Sequence, residues 1–247
     1  MRAAADRALP LLGSWIFRRA NLRANVADAR NALILFGLVM AESIFVPYPG
    51  PGSAAAFYLH AGLRYALRLA CLLVLLFVLE KRSMASVGLR NFRLEGVIHR
   101  KEVVWTAVLC LAMLPLSAFT PLPSGMSGRS ATGLLVWSGY VLLCIALVEE
   151  LVWRGYIFSR LSRATGILPA TIISALLNAL WHLPYYQRAF AAAVPSLMIY
   201  AFVHSVVLCL LTALTGRLIG RFNIYPAILS HWMADGGVAA LGKTLAF

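Results

Sequence analysis

The sequence predicts an all-α, polytopic integral membrane protein of about seven transmembrane helices. Three observations predict it. The 247 residues are 61% hydrophobic and only 13% charged, with a mean hydropathy of +0.81, values that fit a membrane protein and argue against a soluble domain. Apolar runs recur at close to the roughly 20 residues that a helix needs to cross the bilayer core, and they are too continuous for the alternation of barrel strands. The basic residues are concentrated in alternate segments between those runs.

Taken in order, residues 1–30 form a basic segment with Arg2, Arg7, Arg18, Arg19, Arg23 and Arg30. Its arginines interrupt the stretch LPLLGSWIF and no small-residue cleavage site follows. It therefore reads as an amphipathic helix on the cytoplasmic surface, not as a signal peptide. The apolar runs follow at 31–48, 65–80, 103–120, 132–152, 167–186, 195–216 and 223–241. The second is short, and Arg64 and Arg68 are expected to snorkel from one end. Proline and glycine cluster in VPYPGPGSAAA at 46–56 and PLPSGMSG at 121–128, both in expected outer loops. A basic segment with interspersed apolar residues, 81–102, carries Lys81, Arg82, Arg90, Arg93, Arg100 and Lys101. A turn is expected at Ala164-Thr165-Gly166. The expected organisation is thus a cytoplasmic segment 1–30, N-terminal transmembrane helices over 31–130, and a catalytic helical core over 131–247.

The formal net charge of +13 suggests nucleic acid, but the charges form no stripe. With Arg154, Arg160, Arg163, Arg217 and Arg221 added to the two basic segments above, 17 of the 22 basic residues fall on one side. The excess reads as a topology signal with some attraction to anionic lipid. The expectation is a multi-pass protein of the inner (plasma) membrane with a cytoplasmic N-terminus, and no nucleic-acid partner. Cys71, Cys110, Cys144 and Cys209 all lie in apolar runs without a CxxC pair, so they read as small buried hydrophobes.

Three clusters carry chemistry. Glu149-Glu150-Leu-Val-Trp-Arg154 ends an apolar run, where carboxylates are costly and point to function. Glu150 and Arg154 are four apart and share a helix face, whereas Glu149 is turned by about 100°. One carboxylate can be neutralised by the arginine while the other faces a different neighbour. The second cluster is Asn178-Ala-Leu-Trp-His182, and the third His231-Trp-Met-Ala-Asp235, in which an aspartate one turn on can orient an imidazole. Glu149 lies about as far before the turn at 164–166 as His182 lies after it, so an antiparallel hairpin brings them to similar height. Blander readings apply elsewhere. His204 reads as a helix–helix hydrogen bond. His60 and His99 read as solvated, and Glu42 as buried and paired. Trp137, Trp153, Trp181 and Trp232 read as interfacial anchors.

The pattern EExxxR, then a histidine on the next helix, then HxxxN/D on a later one resembles the CPBP family of CAAX-protease and bacteriocin-processing membrane endopeptidases. The matching stretch is about 132–240. One departure is Asn178, where the family usually carries Phe. The resemblance implies peptide-bond hydrolysis within the membrane on a membrane-anchored protein or peptide. Glu149 with His182 would activate water, His231 and Asp235 would hold the oxyanion, and Glu150 and Arg154 would support the site. The resemblance leaves a metal open, since the family is described both as metalloproteases and as metal-free glutamate proteases; with no HExxH pair the reading favours no cofactor, and were zinc used, Glu149, His182 and His231 would be the ligands. Prenylated CAAX proteins, leader peptides, pheromone-like peptides and membrane-anchored precursors are all substrates the resemblance allows. Two other classes stand beside it: a non-proteolytic immunity or partner-binding protein of the same fold, and a proton-coupled carrier. The carrier predicts inverted repeats, and the sequence shows none.

Overall fold

In the computed structural model the described residues are 22–46, 54–89, 104, 108, 130–189, 191–219 and 222–236, and among them no strand occurs. The expectations for residues 1–21, for nearly all of the third run at 103–120 with Cys110, for His99, and for most of both proline-glycine loops lie outside these residues.

The principal helices are α1 (Leu22–Phe45), α2 (Ala54–Leu73, continued by a π-helical turn Val74–Leu79), α3 (Ala131–Thr165), α4 (Ile167–Ala189), α5 (Val194–Ile219) and α6 (Tyr225–Ala234). Four stretches are long and apolar enough to cross a membrane: Tyr58–Leu79, Ala131–Thr165, Ile167–Arg188 and Ala191–Arg217. The expectation of seven therefore stands at four among the described residues. α1 begins nine residues before the expected first span and so takes in Asp28 and Arg30 as well as Glu42. α6 is only ten residues long, because Gly236 adopts a left-handed φ of +82° just past its end.

Exposed apolar residues lie in stripes at helical spacing. Leu59, Leu63 and Leu67 line α2, Leu168, Ile172, Leu176 and Leu180 line α4, and Ile199, Val203, Val207, Leu210 and Leu214 line α5. Such contiguous apolar faces are untenable in water and natural against lipid. This is a multi-pass membrane protein.

The chain divides into two compact units. The first comprises Met1–Tyr48 and Tyr156–Leu210. Here α1 is tied to the end of α3 by Asp28, whose carboxylate accepts from Arg163 Nε at 2.7 Å and lies 3.8 Å from the fully buried Arg160. Arg160 also lies over the Tyr156 ring, 4.6 Å from its centroid. These two arginines are thus packing elements, although the sequence reading counted them as loop charges. Gly166, with φ of +90°, ends α3 where the turn was expected. Arg188 caps the C-terminal end of α1 by donating to Ile44 O at 2.9 Å. Pro184 removes an amide donor inside α4, and Ser43 Oγ from α1 donates nearby to Trp181 O at 3.3 Å. The α4–α5 contact is built on Ala179, Tyr186 and Ala201, small residues admitting close approach.

The second unit comprises Pro49–Gly155 and Leu211–Phe247. Its core gathers Leu134, Trp137 and Val141 of α3 with Tyr58, Tyr140, Ile145 and Trp232. Trp232 Nε1 donates to Ser138 O at 3.1 Å, pinning α6 to α3. The tryptophans are not outer-surface anchors, as the sequence suggested: Trp137, Trp153 and Trp181 are buried, and Trp232 is half-buried with its indole N–H engaged. α3 also meets the 3₁₀ turn Met84–Val87 so closely that a Cβ on Gly155 would lie 2.7 Å from Val87 O. Of the cysteines described, Cys209 is buried while Cys71 and Cys144 are half-buried.

Candidate active site

Glu149 and Glu150 sit in a short α-helical stretch, Leu147–Glu150, between two π-helical segments of α3, Val141–Ala146 and Leu151–Phe158. Widened helical turns of this kind frequently accompany functional sites. Both carboxylates are buried, and Glu150 completely so.

The sequence pairing of Glu150 with Arg154 is present: Arg154 Nη1 lies 3.1 Å from Glu150 Oε1, with both side chains within 1% of full burial. Glu150 does more than neutralise that cation. His231 Nδ1 approaches Glu150 Oε1 to 2.7 Å. A carboxylate only accepts, so this nitrogen carries a proton and the bond is of the short, charge-assisted kind. On the far side of the same ring, His231 Nε2 lies 3.3 Å from Asp235 Oδ2 and 3.9 Å from Glu149 Oε2. The two glutamates therefore do not face unrelated neighbours, as helix arithmetic alone suggested. They bracket one imidazole, one at each ring nitrogen.

Glu149 has further partners that the motif search missed. Tyr65 Oη donates to Glu149 Oε1 at 3.1 Å, and Arg68 Nη1 lies 3.9 Å from the same oxygen. The Arg68 guanidinium lies 4.5 Å from the centroid of the Tyr65 ring. Arg64 and Arg68 were expected to snorkel, but they are only 5% and 6% exposed. The signal was present: two arginines one turn apart in an apolar run deserve the same functional default as two glutamates.

His182 and Asn178 belong to the other unit. His182 Nδ1 bonds the backbone carbonyl of Asn178 at 2.9 Å, and that contact makes no use of the Asn178 amide side chain. A carbonyl accepts, so Nδ1 holds the proton and Nε2 carries the lone pair of the neutral ring. The ring is fixed by Trp181, edge-on at 4.5 Å, and by Tyr186, stacked at 5.4 Å. His204 stacks on Tyr200 at 5.6 Å, His60 is half-buried, and Glu42 is buried.

As a test of zinc, both ring nitrogens of His231 face carboxylates, and among the described residues no three His, Cys, Asp or Glu side chains group as metal ligands. With both of its ring nitrogens turned to carboxylates, His231 is not presented as a zinc ligand.

Residues 131–237 match the family described as Type II CAAX prenyl endopeptidase Rce1-like. The matched stretch holds every residue of the three motifs and excludes Tyr65 and Arg68. No curated protein and no solved structure matches the chain.

Proposed function

We propose that the chain is an intramembrane endopeptidase in which Glu149 activates water against a peptide bond, a reading supported by the match of residues 131–237 to the type II CAAX prenyl endopeptidase family. Its substrate is a membrane-associated or lipidated polypeptide, a prenylated CAAX sequence among the options.

One observation carries the reading: three carboxylates, Glu149, Glu150 and Asp235, surround the His231 imidazole within a buried part of a membrane protein. Structural ion pairing alone needs no such convergence. Glu150 fixes the ring from Nδ1, and Asp235 holds a proton at Nε2. As charge develops on the substrate oxygen, that Nε2–H turns from Asp235 to the oxyanion, while Glu149 Oε2 takes a proton from water. A water 2.8 Å from both Glu149 Oε2 and His231 Nε2, which are 3.9 Å apart, would subtend about 90°, an acceptable hydrogen-bonding angle for one molecule. The water oxygen then attacks the scissile carbonyl carbon. The negative charge on its oxygen is met by His231, and the proton taken by Glu149 passes to the departing amine. The family resemblance gives His182 a part in the same reaction, and a neutral ring with its proton on Nδ1 suits it to accept one. Arg154 neutralises Glu150, so that Glu150 can orient the ring without adding net charge.

Comparison of the membrane peptidomes of cells carrying wild type or Glu149→Ala tests this. Products present only with wild type, and lost again in His182→Ala at normal insertion levels, are expected. Wild-type processing by both variants would sink the proposal.

A further inference from the structure

We infer that Tyr65 and Arg68 are positioning residues for Glu149, fixing its Oε1 so that Oε2 is the oxygen presented to the reacting water. The inference rests on reading Glu149 as the general base.

Both residues come from α2, outside the stretch that matches the family, so no motif identifies them. A glutamate side chain has three rotatable bonds, and a base must be held within a fraction of an ångström of its working place. Glu149 Oε1 is gripped by the Tyr65 hydroxyl at 3.1 Å and approached by Arg68 at 3.9 Å. Oε2 faces His231 Nε2 instead. The carboxylate is thereby divided into a held oxygen and a working oxygen.

The holders are themselves held. The Tyr65 ring lies under the Arg68 guanidinium at 4.5 Å and edge-on to Tyr140 of α3 at 6.3 Å. Tyr140 is also edge-on to Tyr58 at 5.2 Å and lies beside Trp137. The hydroxyl that grips Glu149 is thus anchored to the same helix that carries Glu149. Arg68 is buried in a helix long and apolar enough to span the membrane, where a cation is retained only with a strong reason. Positioning a catalytic carboxylate is such a reason.

The test uses the full-length protein in vesicles with an internally quenched, prenylated peptide ending in a CAAX sequence. Tyr65→Phe is expected to lower kcat about 10-fold and Arg68→Met about 100-fold, with KM within about 2-fold. Arg68→Lys, which keeps the charge, is expected to recover about 10-fold of that loss. In a Glu149→Gln background Tyr65→Phe is expected to add nothing. Losses confined to KM, or losses that multiply with that of Glu149→Gln, overturn the inference. If Glu149→Gln itself cleaves like wild type, the reading of Glu149 as base fails. The grip on Glu149 is then judged by a second measurement that needs no turnover. An apolar carbodiimide is reacted with the protein and its adduct on Glu149 quantified by mass spectrometry. Tyr65→Phe and Arg68→Met are expected to change the adduct yield several-fold; yields equal to wild type overturn the inference whether or not the peptide is cleaved.

Discussion

Replacing Glu150 by glutamine removes one charge and almost no volume from a completely buried position. Its carbonyl oxygen still accepts from His231 Nδ1, so the loss falls mainly on Arg154, 3.1 Å away and itself 1% exposed. At an effective dielectric of about 20, a charge pair at that separation is worth about 5 kcal/mol. Relaxation around the stranded guanidinium lowers the cost, and about 3 kcal/mol of destabilisation is expected. Arg154→Met leaves the carboxylate to His231 alone and should cost somewhat less. The double variant strands neither, so it should lie within about 1 kcal/mol of wild type, a coupling of several kcal/mol. Reversible unfolding of the four proteins in mixed micelles, titrated with a denaturing detergent, gives the cycle. Activity separates the two jobs of Glu150. The double variant regains stability, yet its His231 meets a neutral amide, and cleavage should stay about 10- to 100-fold down. Single-variant losses that simply add in the double variant would refute the buried-pair argument. Full recovery of cleavage would refute the role of Glu150 in orienting His231.

Three other outcomes are expected. Gly155→Ala should destabilise by about 1–3 kcal/mol in the same unfolding assay, because the new methyl would meet Val87 O at 2.7 Å; an unchanged midpoint would show that the 3₁₀ turn yields freely. Asp28→Asn should cost about 2 kcal/mol, since Arg160 is fully buried and loses its carboxylate while keeping the Tyr156 ring; stability equal to wild type would make that pair incidental. On the metal-free reading, Glu149-dependent cleavage should persist within about 2-fold after treatment with a strong zinc chelator; loss of activity that added zinc restores would overturn that reading.

What the sequence made legible was local. The i,i+4 spacings Glu150/Arg154 and His231/Asp235 translate directly into contacts at 3.1 and 3.3 Å, because helix geometry alone brings such pairs together. The stop at Gly166 is equally local. The contact of His231 with Glu150 joins residues 81 apart in sequence, and that of Tyr65 with Glu149 spans 84. No periodicity encodes either. Asn178 shows a different limit of motif reading. Its side chain stood out as a departure from a motif, whereas what orients His182 is the backbone carbonyl, which any residue at 178 would supply. Charge counting failed at Arg154 and Arg160, since a basic residue marks a cytoplasmic loop only when it is not already committed to packing.

The adjacency of the two glutamates also has a geometric logic. Consecutive residues on a helix point about 100° apart, so neither can replace the other and both can reach one ring only if that ring enters between them. α6 meets that condition. It packs against α3, places His231 in its last turn, and is ended at once by the left-handed Gly236. Asp235, at the end of the helix, stays one turn from His231 and reaches Nε2. A longer α6 would keep Asp235 in reach of the ring but would carry the chain on through the region beside the site. A helix stopped one turn earlier would lose both groups. The shortness of α6, which looks like a defect beside the long apolar helices, is what lets a histidine be gripped at one nitrogen by Glu150 and offered at the other towards Glu149 Oε2.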